Sequence, residues 1–205
     1  MDVAGAIIKA VEGFQDDPRY EYGWQQSLRS GKPISAGGKP MIELGRPEEQ
    51  AAYFINRAHR FGRPQLTESL DCDMVSVPAD LSNAVCTDHY ERYVVTCQSL
   101  TGRWPMFYTL DQNANRRLNI RPDSPLLRCT LRFAKYHRPT PTDPKQWSTW
   151  LDGKEWDTIN GWPSWDQTDD QAWQHGDDWN GPGTDQAVCP NVVQPRAWAR
   201  WLGTG

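Results

Sequence analysis

Five aspartates, Asp166, Asp169, Asp170, Asp177 and Asp178, lie among tryptophans in the last quarter of the chain. Paired carboxylates beside an apolar wall suit glycoside cleavage, because the wall keeps one acid protonated while its wetter neighbour stays charged. The same acids suit a plainer role as a solvated surface on a Trp-rich segment, since composition alone supplies no acid–base geometry. Asp178-x-Asn180 begins the alternation of oxygen ligands that calcium needs, but Pro182 does not continue it. Exposed indoles could stack on sugar rings; against that stands the ordinary use of Trp in cores and at protein interfaces.

Cys72, Cys86, His89 and Cys97 have the residue types of a zinc site, and Cys86-x2-His89 has the spacing of half of one. The other two spacings fit no familiar finger or ribbon, and buried free cysteine is a common core residue. Five cysteines, Cys129 and Cys189 included, are an odd number, and the start of the chain lacks the basic region of a signal peptide. Reduced, metal-free thiols are therefore expected. Phosphate loops, zinc helices and nucleophile elbows are absent, so no cofactor is expected. His59, His89, His137 and His175 sit in no recognisable catalytic turn. Arg116, Arg117, Arg121, Arg128, Arg132, Lys135 and Arg138 oppose only Asp123 and could track phosphates, or could meet an acidic protein surface.

The elements that must position these groups divide by charge. Residues 141–205 hold ten acids and four bases, a net of −6, against +2 for residues 1–140, and nine of the eleven tryptophans fall in that last part. The Pro-rich joint Arg138–Pro144 marks the change. The expected organisation is a mixed body over 1–138 and a Pro-linked, acidic, Trp-rich arm over 139–205. In the body, Val3, Ile7 and Val11 predict a helix from Asp2 to about Phe14, and residues 15–45 predict an ordered loop. Pro47 to Phe61 predicts a helix, with Pro47 in the first turn, acids at its start, bases at its end, and Ala51, Phe54, Ile55, Ala58 and Phe61 inside. Met74–Val77, Arg92–Gln98, Met106–Leu110 and Leu126–Tyr136 predict strands. In the last of these, Leu127, Cys129, Leu131 and Phe133 fall on one face, and Arg128, Thr130 and Arg132 on the other. Together they predict an α+β body with a small antiparallel sheet that shows one polar face to water. In the arm, Trp147 and Trp150, then Trp198 and Trp201, sit on two short capped helices.

Leu, Ile, Val and Phe make up about 17% of the chain, close to the level at which disorder is expected. Eleven Trp and seven Tyr supply the missing apolar surface. No apolar run is long enough to span a membrane. The expectation that follows is a non-enzymatic structural subunit of a large assembly, such as a phage head, neck or tail, located in the virion or host cytoplasm. Its partners would be other protein subunits and no membrane, with nucleic acid possible but not favoured and any small-molecule ligand left open. Trp147, Trp150, Trp198, Trp201, Arg128 and Arg132 would form its interface. A carbohydrate-binding or carbohydrate-cleaving protein is the first alternative, and a nucleic-acid-facing or nucleic-acid-mimicking protein the second.

Overall fold

The computed structural model describes residues 5–72, 77–110, 117–134, 171–174, 191–193, 198 and 202. The expected 138/139 boundary and the Trp147–Trp150 helix lie outside them. The chain runs β1 (Ala6–Glu12), β2 (Gln15–Asp16), α1 (Tyr20–Ser30), β3 (Ile34–Lys39), α2 (Pro47–Ala58) and β4 (Ser69–Cys72). It continues through α3 (Asn83–Thr101), β5 (Met106–Leu110), β6 (Thr130–Ala134), β7 (Gln171–Gln174) and β8 (Asn191–Val193).

All eight strands form one sheet, in the order β2-β1-β3-β4-β5-β6-β7-β8. The six from β1 to β7, leaving out β2, are mutually parallel, and only β2 and β8 pair antiparallel at the edges. The expected small antiparallel sheet with an appended arm is thus replaced by a mostly parallel α/β sheet that takes β7 and β8 from the chain's last part. Because the parallel strands follow one another in chain order, right-handed crossovers must place their helices on one face. One core confirms this: Trp24 of α1, Phe54 of α2 and Tyr90, Tyr93 and Cys97 of α3 pack with Ala36, Leu70, Cys72, Phe107 and Leu131 of the strands. The other face of the sheet is an inner face, as in barrel-type α/β proteins.

The departures from expectation have local causes. Residues 6–12 form a strand because Ile7 and Ile8 are both partly buried, on opposite faces: Ile8 against the helix core, and Ile7 against Leu66 and Met106. A helix could bury only one of them well. The loop expected over 15–45 contains α1 and β3, and two of its glycines, Gly23 and Gly38, are packing devices. A Cβ on Gly23 would sit 2.8 Å from Ile8, and one on Gly38 would sit 2.7 Å from the Phe54 ring. Arg92–Gln98 belongs to α3, whose buried Cys86, His89, Tyr90, Tyr93, Val94 and Cys97 recur at three- and four-residue intervals. Ser82 caps this helix and Gly102 ends it in the left-handed region. The Pro47 helix forms as expected and ends at Ala58. Leu126–Tyr136 divides into a 3-10 turn over Pro125–Arg128, a break at Cys129, and β6.

His89 is buried on α3, its ring edge-on to Tyr90 at 5.9 Å. Burial first, then the nearby Arg92 cation, push its pKa from 6.5 down to about 4, against the opposing pull of Asp88 and Glu48. The folded protein therefore refuses a proton that the unfolded chain accepts. Stability from this site is complete above about pH 6.5 and is lost as pH falls toward 4, by about 2–3 kcal/mol in all. Chemical denaturation between pH 7 and 4 should show this slope, and His89→Leu should flatten it. An unchanged slope in the variant refutes the assignment.

Candidate functional site

Strand alternation sorts the sheet residues by face. Leu70, Cys72, Phe107 and Leu131 enter the helix-covered core. Their neighbours Ser69, Asp71, Met106, Tyr108, Thr130 and Arg132 therefore take the inner face. The polar face read from Arg128, Thr130 and Arg132 is thus real in part, but it turns inward and not to water.

The two ends of this inner face differ. At the ends where the parallel strands begin, Leu66 and Met106 are fully buried against Ile7, Trp198 and Leu202. Glu68, 1% exposed, lies there with Oε1 2.7 Å from His59 Nε2 and 3.1 Å from Arg103 Nη2. Desolvation is the largest influence on Glu68 and favours its neutral form, but the His59 hydrogen bond and the Arg103 charge outweigh it and hold its pKa below the usual range. Arg103 also donates to the Pro64 and Leu66 carbonyls, so one guanidinium ties the segment leading into β4 to the turn before β5.

The opposite end, where the parallel strands finish, is charged. Ligands and catalytic groups gather at this end of such folds, where variable loops meet a rigid scaffold. Asp71, Tyr108 and Arg132 stand side by side in register on β4, β5 and β6. The Arg132 guanidinium lies 4.2 Å from the Tyr108 ring centre, and its Nη1 donates to Ser69 Oγ at 3.4 Å. Asp71 is partly buried, with Oδ1 removed from solvent. On β1 and β3, Glu12 receives Lys9 Nζ at 2.5 Å and Lys39 Nζ at 3.2 Å. The Lys9 hydrogen bond, helped by Lys39 and opposed by desolvation, keeps Glu12 below the usual carboxylate range. Glu12 is thus a fixed negative charge and a poor proton donor. Asp71 is the carboxylate that the sheet brings to the inner face, beside Tyr108 on the next strand and in row with Arg132 one strand further.

Most residues singled out in the sequence stand elsewhere. Asp166, Asp169, Asp170, Asp177, Asp178, Trp147, Trp150 and Trp201 lie outside the described residues. Trp198 packs on the apolar plug. Arg128 ends the 3-10 turn, 5.5 Å from the Trp104 ring, so it does not share a strand face with Arg132. Cys72, Cys86, Cys97 and Cys129 are buried free thiols. Burial pushes Cys72 and Cys97 up, so both stay protonated and make poor nucleophiles. Among the described residues no three His, Cys, Asp or Glu side chains are placed to hold a metal ion, and no helix is long and apolar enough to cross a membrane.

Asp71 was not singled out in the sequence. Its one signal is Asp71-Cys72-Asp73, two acids at strand period directly after the apolar Leu70.

Glu68→Gln should lower stability by about 2–4 kcal/mol, because it leaves Arg103 and His59 facing a neutral amide, while the charged end keeps its structure. Denaturant unfolding with near-UV circular dichroism checks this; a stability loss below about 1 kcal/mol contradicts the clamp.

The profile of glycosyl hydrolases family 25 matches residues 2–184. No curated protein matches the chain in sequence. Several solved structures share the fold. A muramidase from Acremonium alcalophilum has a TM-score of 0.69 at 22% identity, over 97% of this chain and 86% of that one. A lysozyme from Streptomyces coelicolor has a TM-score of 0.72 at 19% identity, over 98% and 88%. The modular autolysin LytC from Streptococcus pneumoniae, in complex with a synthetic peptidoglycan ligand, has a TM-score of 0.69 at 14% identity, over 93% and 40%.

Proposed function

The chain belongs to glycosyl hydrolases family 25, and from that premise we propose that it is a lysozyme, cleaving glycosidic bonds of bacterial peptidoglycan. Membership overturns the expectation of a non-enzymatic virion subunit and agrees with the carbohydrate-cleaving alternative. The earlier expectation rested on the abundance of Trp and Asp near the end of the chain. Abundance reports composition; a catalytic site needs only two or three side chains brought together by distant strands.

The observation that carries the proposal is Asp71, standing on the inner face where β4 finishes. The muramidase and lysozyme names of the structural relatives support the substrate class. Glycoside hydrolysis requires one carboxylic acid to protonate the departing oxygen and one carboxylate to meet the positive charge that grows on the sugar ring. Asp71, in a row with Arg132, is assigned the charged role. Asp73, two residues on in the sequence, is assigned the proton donor. Tyr108 and the Glu12–Lys39 pair would line the sugar's approach.

Purified peptidoglycan incubated with the full chain should release new reducing ends. Asp71→Asn is nearly isosteric, so it should leave stability within about 1 kcal/mol of the parent while cutting the rate on the order of a hundredfold or more. Peptidoglycan left intact by the parent, or an Asp71→Asn variant as fast as the parent, overturns the proposal.

A further inference from the structure

Arg117, from the basic run between β5 and β6, turns to backbone carbonyls. It is half-buried, and its Nη2 donates to the Pro78 carbonyl at 3.0 Å and the Leu81 carbonyl at 3.3 Å, with Cys86 Sγ at 3.9 Å. Those carbonyls belong to the turn that leads from β4 into α3, which the Leu81 amide closes on Pro78 and the Ser82 cap follows. Leu118 is buried in the helix core, and the Asn119 amide donates to Thr87 Oγ1 on α3 at 2.7 Å. The segment after β5 is thus fastened to the segment after β4 at three successive residues. Both segments leave the sheet at the charged end, where the parallel strands finish. We infer that Arg117 is a positioning residue: its guanidinium locks the β4–α3 turn, and with it the far end of the short stretch that carries Asp73. The inference rests on the lysozyme reading for the role of Asp73 alone.

Connectivity is what makes the turn matter. Cys72 is fully buried at the end of β4, and Val77 packs on the same core. Only four residues join them, and Asp73 is the first. A proton donor works when it is held within hydrogen-bond reach of the departing oxygen. A misplacement of about 1 Å, caused far from the reacting atoms, can cost a hundredfold in rate. The stretch is therefore only as well placed as its two ends. Cys72 fixes the first through the core. At the second, Val77, Leu81 and Leu118 contribute burial, which has no direction of its own. The direction comes from hydrogen bonds, and those from a guanidinium are stronger than neutral ones. Its planar fork is also preorganised, so one side chain reaches two carbonyls three residues apart with little loss of freedom.

The test uses the full chain with Arg117→Met, which keeps an unbranched apolar stem, and Arg117→Lys, which keeps the charge. Amide hydrogen exchange followed by NMR reports the turn directly. The Leu81 amide, bonded to Pro78, should exchange about tenfold faster in Arg117→Met, the effect of losing one hydrogen bond from a charged donor. Arg117→Lys should recover part of that protection. On solubilised peptidoglycan, kcat per folded molecule should fall about tenfold or more in Arg117→Met while KM stays near the parent's, because sugar binding along the inner face is untouched. Arg117→Lys should lie between the two. If Arg117→Met does not fold, Thr87→Val removes the acceptor of the Asn119 amide and should loosen the same junction, with a smaller change in both readouts. Leu81 exchange as slow as the parent's, a kcat per folded molecule equal to the parent's, or a Lys variant that behaves as the Met variant overturns the inference. A parent that leaves peptidoglycan intact defeats the lysozyme reading alone, because exchange at Leu81 still decides whether Arg117 locks the turn.

Discussion

Everything at the charged end depends on the sheet having one covered face and one inner face. Parallel strands laid down in chain order, joined by right-handed crossovers, put α1, α2 and α3 on the same side. Each strand then divides its residues between two tasks. In β4, Leu70 and Cys72 close the helix core while Ser69 and Asp71 face inward. A slip of one residue in that pairing would bury the carboxylate among Tyr90 and Phe107 and turn a thiol to the inner face. Packing of Leu70 and Cys72 at full burial is therefore what aims Asp71.

The inner face also separates stability from chemistry along its length. Leu66 and Met106 meet Trp198 and Leu202 at one end, and on the helix side of the same strand ends buried Glu68 is clamped by His59 and Arg103. The other end carries Lys9, Glu12, Lys39, Asp71, Tyr108 and Arg132. Charges packed this closely oppose folding unless partners hold them, and Glu12 between two lysines shows how the cost is limited. Arg132 spends its reach across β5 for a similar purpose: the ring and the hydroxyl fix a guanidinium that would otherwise sample many rotamers.

Close approach between layers requires small residues at defined points. Gly23 lets α1 lie against Ile8, and Gly38 lets the Phe54 ring rest on β3. Both look like loop signals in the sequence because glycine is the ordinary mark of a turn. Their role becomes visible only when the opposing side chain is known. Gly13, with φ of 57°, is the other kind: it turns β1 into β2, and that turn was within reach of a local reading.

The sequence by itself determined what depends on neighbours a few residues away. Pro47, the acids after it and the spacing of Ala51, Phe54, Ile55 and Ala58 are enough for α2. Alternation is enough for β5 and for the two faces of β6. Tertiary structure decided the rest. Tyr93-Val94-Val95-Thr96 has strand composition, yet its burial at helical intervals in Cys, His and Tyr makes it part of α3. Ala6–Glu12 shows helical spacing, yet pairing with β3 and the packing of its two isoleucines on opposite faces make it a strand. Alternation revealed that β6 has a polar face, but not whether water or the interior of a fold lies beyond it. Asp71, Tyr108 and Arg132 are separated by 37 and 24 residues of chain, and no local rule joins them. Their meeting is set by strand order and register, because local preferences fix which residues share a face, whereas only long-range pairing fixes which faces meet.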